Sequence, residues 1–219
     1  MSSRNPAACL DKKSLINSVL ALEANSREKG GADRRSQSLF YHAASYSHDQ
    51  GSFSEAERFY LRSLSDFRVI APDETHDLAV LLDNIASFYR RFGLSADAEQ
   101  YCQEALALLR ALGEEPGANL GSVLNTLGGI YRQVGRYQEA RALYEESLAL
   151  RRSLVPCDEE DVSITLNNLA ACYEDLGDYG EAETLYHESI QIDQKTLPPV
   201  HPRVASSLSN LAGLYRLLG

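Results

Sequence analysis

Leu166-Asn167-Asn168-Leu169-Ala170-Ala171-Cys172-Tyr173 is one copy of a frame that runs through the chain. It returns as Leu124-Asn125-Thr126-Leu127-Gly128-Gly129-Ile130-Tyr131, as Leu82-Asp83-Asn84-Ile85-Ala86-Ser87-Phe88-Tyr89 and as Leu208-Ser209-Asn210-Leu211-Ala212-Gly213-Leu214-Tyr215. The offset is 42 residues each time, and Phe40 opens a weaker copy one period earlier. In this register Gly51, Gly93, Gly135, Gly177 and Gly219 fall in one column. Ala56, Ala98, Ala140 and Ala182 form a second, and Leu64, Leu106, Leu148 and Ile190 a third.

Within a frame the apolar or small residues stand at Leu166, Leu169, Ala170 and Tyr173, a spacing that makes one face of an α-helix. This is helix A of the unit. Gly177 follows, where a helix end favours a residue free to take positive φ. Asp178-Tyr179 then leads into Glu181, Ala182, Leu185, Tyr186, Ser189 and Ile190, the pattern of a second helix, B. Ala170 and Ala182 are small where the two helices should cross, and larger side chains would hold the axes apart. Loops carrying Pro72, Pro156 and Pro198 close three of the units.

Two helices with one apolar face apiece cannot bury it alone, so the units must stack into an all-α solenoid of antiparallel helix pairs. The period places full units at about 40–81, 82–123, 124–165 and 166–207, with a fifth helix A over 208–219. Ahead of them, Leu15, Ile16, Val19, Leu20 and Leu22 sit at helical spacing before the polar break Lys29-Gly30-Gly31. Residues 11–37 therefore read as a capping helix and linker, 1–10 as a disordered N-terminus, and 38–219 as the array.

Composition excludes several classes. A chain of 219 residues, 44% hydrophobic and 24% charged, is a folded soluble type. With 21 Lys+Arg against 31 Asp+Glu the net charge is −10, which argues against nucleic acid and anionic membrane as partners. No run approaches the roughly 18 apolar residues of a membrane span, and Met1 to Asp11 lacks the apolar core of a signal peptide. The expected compartment is the cytoplasm.

Cys9, Cys102, Cys157 and Cys172 form no CxxC pair and none lies at a zinc-ligand spacing from a histidine, so no metal or cofactor is expected. No nucleophile with a base, carboxylate pair or phosphate loop shows convincing spacing, so no catalytic residue is assigned and an enzyme is not expected. Asp158-Glu159-Glu160-Asp161 lacks the alternating ligands and glycine of a calcium loop and reads as a helix start, where negative charge suits the N-terminal dipole. Tyr89, Tyr131, Tyr173, Tyr215, Tyr144 and Tyr186 occupy repeat columns and read as packing residues.

The columns of small residue, Tyr, Gly, Tyr and Ala resemble the tetratricopeptide repeat (TPR). The 42-residue period, Leu-Asn-Asn-Leu-Ala and His201-Pro202-Arg203-Val204-Ala205 are similar to its kinesin light chain subgroup. Ser47 departs from the tyrosine column and Ser95 from the aromatic that follows the glycine. The resemblance implies a right-handed superhelical α-solenoid, and a non-catalytic interaction module holding a partner peptide on the concave surface of the A helices.

At 100° per residue, the stripe opposite the apolar face contains His42, Ser45 and Asp49; Asn84, Ser87 and Arg91; Thr126, Gly129 and Gln133; Asn168, Ala171 and Asp175; then Asn210 and Gly213. Small residues admit a peptide closely, and repeated amides suit an extended backbone. Asn84, Asn168 and Asn210 are the first candidates for such contacts, with Thr126 interrupting their ladder. On the flank, Arg90, Arg132 and Arg216 share a column, Arg91 adjoins them, Asn125 and Asn167 precede them by two turns, and Glu174 interrupts. Guanidinium groups on a rigid surface suit carboxylates, so the expected partner is a protein or peptide with an acidic, extended segment.

The terminal helix carries Leu208, Leu211, Leu214, Tyr215, Leu217 and Leu218 around much of its circumference, whereas a capping repeat has a polar outer face. Two expectations follow: a longer array, or a homo-oligomer assembled through 208–219. A self-associating scaffold and a regulatory segment of a larger signalling protein are the competing function classes.

Overall fold

The computed structural model describes residues 33–113, 117–154, 156–198 and 200–219. The capping helix expected over 11–37 and the N-terminus before it fall almost wholly outside them. All regular elements among the described residues are α-helices: α1 (Arg34–Asp49), α2 (Phe53–Ile70), α3 (Thr75–Arg91), α4 (Ser95–Ala111), α5 (Ala118–Gln133), α6 (Tyr137–Ser153), α7 (Glu159–Leu176), α8 (Tyr179–Thr196) and α9 (Pro202–Leu218). Odd-numbered helices are the A helices and even-numbered ones the B helices. Each A helix starts about two turns before its Leu-Asn frame. The chain divides into two compact units, Met1–Leu81 and Leu82–Gly219, whose boundary falls inside α3.

In the first unit Asp33 caps α1: its carboxylate accepts from the Ser36 backbone N–H at 2.6 Å, and the Asp33 N–H donates to Ser36 Oγ at 3.1 Å. That reciprocal pair satisfies two of the donors that a helix start leaves without partners. Phe40, Ala43, Ala44, Ala56, Phe59 and Tyr60 form the core between α1 and α2, all at most 3% exposed. The Ser63 hydroxyl on α2 donates to the Gln37 carbonyl on α1 at 3.2 Å.

In the second unit the capping logic repeats with different residues. Asp158 accepts from the N–H groups of Glu160 (2.9 Å) and Asp161 (3.3 Å) at the start of α7. Gly177 ends that helix in the left-handed conformation at φ 83°. Gly93 and Gly135, in the same column, take φ values of 76° and 81°, so the column is set by backbone conformation. His201-Pro202-Arg203 opens α9, with His201 Nδ1 accepting from the Arg203 N–H at 3.3 Å and Pro202 in the first turn, where its missing N–H is harmless.

Ala170 and Ala182 are both 0% exposed and lie in one apolar cluster with Tyr186, Ile190, Leu211 and Leu214. The small-residue crossing read from the sequence is therefore present. Helix B also carries a serine column that the sequence reading passed over. Ser147 donates to the Gly121 carbonyl at 2.7 Å and Ser189 to the Ser163 carbonyl at 3.1 Å, as Ser63 does in the first unit.

The acidic run at the start of α7 is distributed among partners. Asp158 caps the helix, Glu159 pairs with Lys195 at 3.0 Å, Glu160 with Arg203 at 2.7 Å and Asp161 with Arg151 at 3.5 Å. Tyr215 differs from its column mates. Tyr131 is 8% exposed, whereas Tyr215 is 44% exposed and bonds to Glu183 (2.6 Å) and His187 (3.2 Å) on α8.

Candidate peptide-binding site

The outward faces of α3, α5 and α7 in the second unit enclose a polar pocket of about 520 Å³. Nine residues of the stripe and flank read from the sequence line it: Ser87, Arg90, Asn125, Thr126, Gly129, Arg132, Gln133, Asn168 and Asp175. Tyr137 and Tyr144 complete the lining. Of the other candidates, Asn84, Asn167 and Asn210 are half-buried and Arg91 is exposed, all outside this pocket. Ala171 is 8% exposed and belongs to the apolar cluster, so it contributes closeness of approach rather than a lining surface.

The asparagines are tied to one another across successive A helices. Asn168 Nδ2 donates to Asn125 Oδ1 at 3.1 Å, and Asn210 Nδ2 donates to Asn167 Oδ1 at 3.1 Å. Thr126, expected to interrupt the ladder, is 8% exposed and stands 43 residues after Asp83, whose pKa it lowers. Each rung joins a residue to the one 43 positions later, one step off the repeat. At the pocket the rung holds one N–H of Asn168 and the carbonyl oxygen of Asn125 in place.

The arginine strip is divided in the same way. Arg132 Nε binds Asp175 Oδ2, and this ion pair outweighs the desolvation of a half-buried guanidinium, leaving the Arg132 pKa raised. The Arg90 guanidinium forms no ion pair or hydrogen bond among the described residues. It lies over the backbone of Gly129, where a Cβ would stand 3.3 Å from Arg90 Nη1. It acts electrostatically on Asp83, whose pKa burial raises to about 6 against the lowering effects of Thr126, Arg90 and Arg151.

Tyr144 is the lining residue that sequence reasoning placed elsewhere. Its ring is packed, at 2% exposure, and a Cβ on Gly128 would stand 2.8 Å from its Cε1. Its hydroxyl reaches the pocket beside Gly129, 3.5 Å from where a Cβ there would sit, and has no hydrogen-bond partner among the described residues. Burial pushes its pKa up to about 12. The column reading marked it as a packing residue, which its ring is.

The fold and this surface define a helical-repeat interaction protein. The model of the tetratricopeptide repeat matches residues 77–153 and 161–219, more than half of the sequence, and the chain belongs to the tetratricopeptide repeat family. No curated protein matches it. Among solved structures it is similar to BtubC (BKLC) from P. vanneervenii, with 21% identity and a TM-score of 0.75 over 94% of this chain and 82% of that one. A Rap protein complexed with Competence and Sporulation Factor gives 18% identity and a TM-score of 0.74 over 94% of this chain, which spans only 54% of that protein. A provisionally assigned kinesin light chain of Podosopora anserina, with nearly identical TPR-like repeats, gives 22% identity and a TM-score of 0.65 over 83% of this chain and 85% of that one. These likenesses establish the TPR solenoid fold. Among the described residues no helix is long and apolar enough to cross a membrane.

Proposed function

We propose that the chain is a non-catalytic adaptor whose second unit holds an extended, acidic segment of a partner protein along the A-helix face. The observation that carries this reading is Arg90, a guanidinium without an ion-pair partner at a polar pocket of about 520 Å³. A cation left without a partner beside a rigid polar surface favours a carboxylate, because charge-assisted hydrogen bonds are about twice as strong as neutral ones. The Asn125–Asn168 rung, its amides fixed in orientation, supplies donors and acceptors for an extended backbone. The Rap protein of similar fold, solved complexed with Competence and Sporulation Factor, supports a partner-binding reading. The test is a peptide array of acidic dodecamers and their Asp→Asn, Glu→Gln counterparts, probed with the folded protein. Saturable binding of the acidic set is expected. Equal binding of both sets, or of neither, overturns the reading.

A second reading rests on α9, where Leu208 (46%), Tyr215 (44%), Leu217 (61%) and Leu218 (52%) are exposed together. Such a surface suits self-association through 208–219, and a cluster of exposed apolar side chains on one helix marks an interaction face. Light scattering across a hundredfold concentration range decides it: a concentration-independent monomer removes the oligomer.

A further inference from the structure

The net charge at the pocket narrows what the acidic partner can present, an argument that rests on the groove reading above. Arg132 is neutralised by Asp175, and Asp83 lies near enough to Arg90 for each to influence the other. What remains is one guanidinium in no ion pair among the described residues, with the Asp83 carboxyl acting on it electrostatically. Beside it stands the Tyr144 hydroxyl, a donor on a side chain that is 2% exposed, with no partner of its own. Both groups approach the backbone at Gly129, the position where a Cβ would meet Arg90 Nη1 at 3.3 Å and Tyr144 Oη at 3.5 Å. The absence of a side chain at 129 is what lets them share one small space.

We infer that Arg90 and Tyr144 form a single-carboxylate subsite over Gly129, which anchors one carboxylate of the partner and fixes the register of the bound segment. The guanidinium presents two parallel N–H groups to a planar carboxylate, and the phenol donates a third hydrogen bond from the side. A phosphoryl group carries about −1.5 to −2 at neutral pH and would leave charge uncompensated at a site with one free cation. The subsite therefore selects a carboxylate over a phosphate. Tyr144 is a binding residue as well as a packing one, its ring held by helix contacts and its oxygen turned to the ligand.

A carboxylate can come from an Asp or Glu side chain or from a chain terminus, and the arms of the test separate them. The tightest acidic dodecamer from the array is compared with versions carrying single Glu→Gln changes, an amidated C-terminus, or one phosphoserine in place of Glu. Exactly one removable carboxylate should account for about a tenfold loss or more, and phosphoserine should not restore it. Tyr144→Phe keeps the ring and removes the oxygen. It should weaken that peptide about tenfold, leave the melting temperature unchanged, and make no difference to the peptide already lacking the anchoring carboxylate.

A peptide-free probe distinguishes failure of this subsite from failure of the groove. Acetate and inorganic phosphate are titrated into protein labelled with 13C at tyrosine Cζ, and the Tyr144 signal is assigned by its loss in Tyr144→Phe. A saturable acetate shift that phosphate does not match, abolished in Arg90→Gln, supports the subsite even if no dodecamer binds; in that case the extended-groove reading alone falls. No acetate shift, or peptide affinity indifferent to both Tyr144→Phe and Arg90→Gln, overturns the subsite.

Discussion

Arg151 and Asp193 occupy the same position of successive B helices and carry opposite charges, and each is answered by the next A helix with the polarity reversed. Arg151, 4% exposed, binds Thr165 Oγ1 at 2.7 Å, Ser122 Oγ at 3.2 Å and Asp161 Oδ2 at 3.5 Å. Asp193, 0% exposed, accepts from Ser163 Oγ at 2.6 Å, Arg203 Nε at 3.0 Å and Ser207 Oγ at 3.3 Å. Asp161 and Arg203 are themselves one repeat apart. An α9 docked in place of α7 would bring Arg203 against Arg151, so the reversal specifies which A helix follows which B helix.

Breaking one half of this arrangement should cost more than removing both. Asp193→Ala leaves the partly buried Arg203 with Glu160 as its remaining carboxylate, removes the acceptor of the buried Ser163 and Ser207 hydroxyls, and is expected to destabilise by about 2 kcal/mol. Asp193→Leu with Arg203→Met should cost less than either single change, because the desolvated charge disappears with its partner. Urea unfolding of the single and double variants measures the difference.

The offset of these contacts explains what was legible in the sequence. Columns aligned at the repeat period displayed Gly177, Ala170, Ala182 and the helix faces, because those roles are the same in every unit. Asn125–Asn168, Asn167–Asn210, Arg132–Asp175 and Glu160–Arg203 each join residues 43 apart. Side chains of adjacent A helices meet one step off the repeat, so a column aligned by period sets equivalents side by side and separates true neighbours. The strip of arginines was visible; that Asp175 cancels Arg132 and leaves Arg90 was not. Tyr144 was hidden differently, since one residue serves the core with its ring and the pocket with its oxygen.

Asp83 stands where its column mates Asn125 and Asn167 carry the rung amides, and it sets a pH dependence. Burial raises its pKa from 3.8 to about 6, so the folded state holds the proton more tightly than the unfolded one. Its contribution to stability is greatest below about 4 and is lost as pH rises towards about 6. Asp83→Asn should flatten that window and stabilise the protein at pH 7 by on the order of 1–2 kcal/mol, after discounting for screening of a half-buried carboxyl. The same change removes the negative charge beside Arg90 and should tighten binding of acidic peptides. Unfolding curves at pH 4, 5, 6 and 7 check the first expectation and anisotropy titrations the second.

Gly128 lies against Tyr144 with no room to spare. Gly128→Ala places a Cβ 2.8 Å from a ring carbon. The ring is held on its other sides, and overpacking of this kind costs about 1–3 kcal/mol. Gly180→Ala, at a glycine whose added Cβ meets nothing within 4 Å, is the control expected to leave the melting temperature within a degree or two or raise it.

Ser47, where other units carry tyrosine, is 1% exposed and its hydroxyl has no hydrogen-bond partner among the described residues. Ser47→Ala removes a buried polar group at little cost in packing and should stabilise the first unit by about 1 kcal/mol. Amide hydrogen exchange over α1 and α2 reads the change locally; faster exchange there would contradict it.

The account turns on Arg90 acting alone among the arginines that line the pocket. Anisotropy titration of one acidic peptide against Arg90→Gln and against the charge-neutral pair Arg132→Gln with Asp175→Asn tests this most directly. The account predicts at least a tenfold loss for Arg90→Gln, reduced by added salt, and less than a threefold change for the pair. Equal losses in both variants, or affinity unaltered in Arg90→Gln, would contradict it.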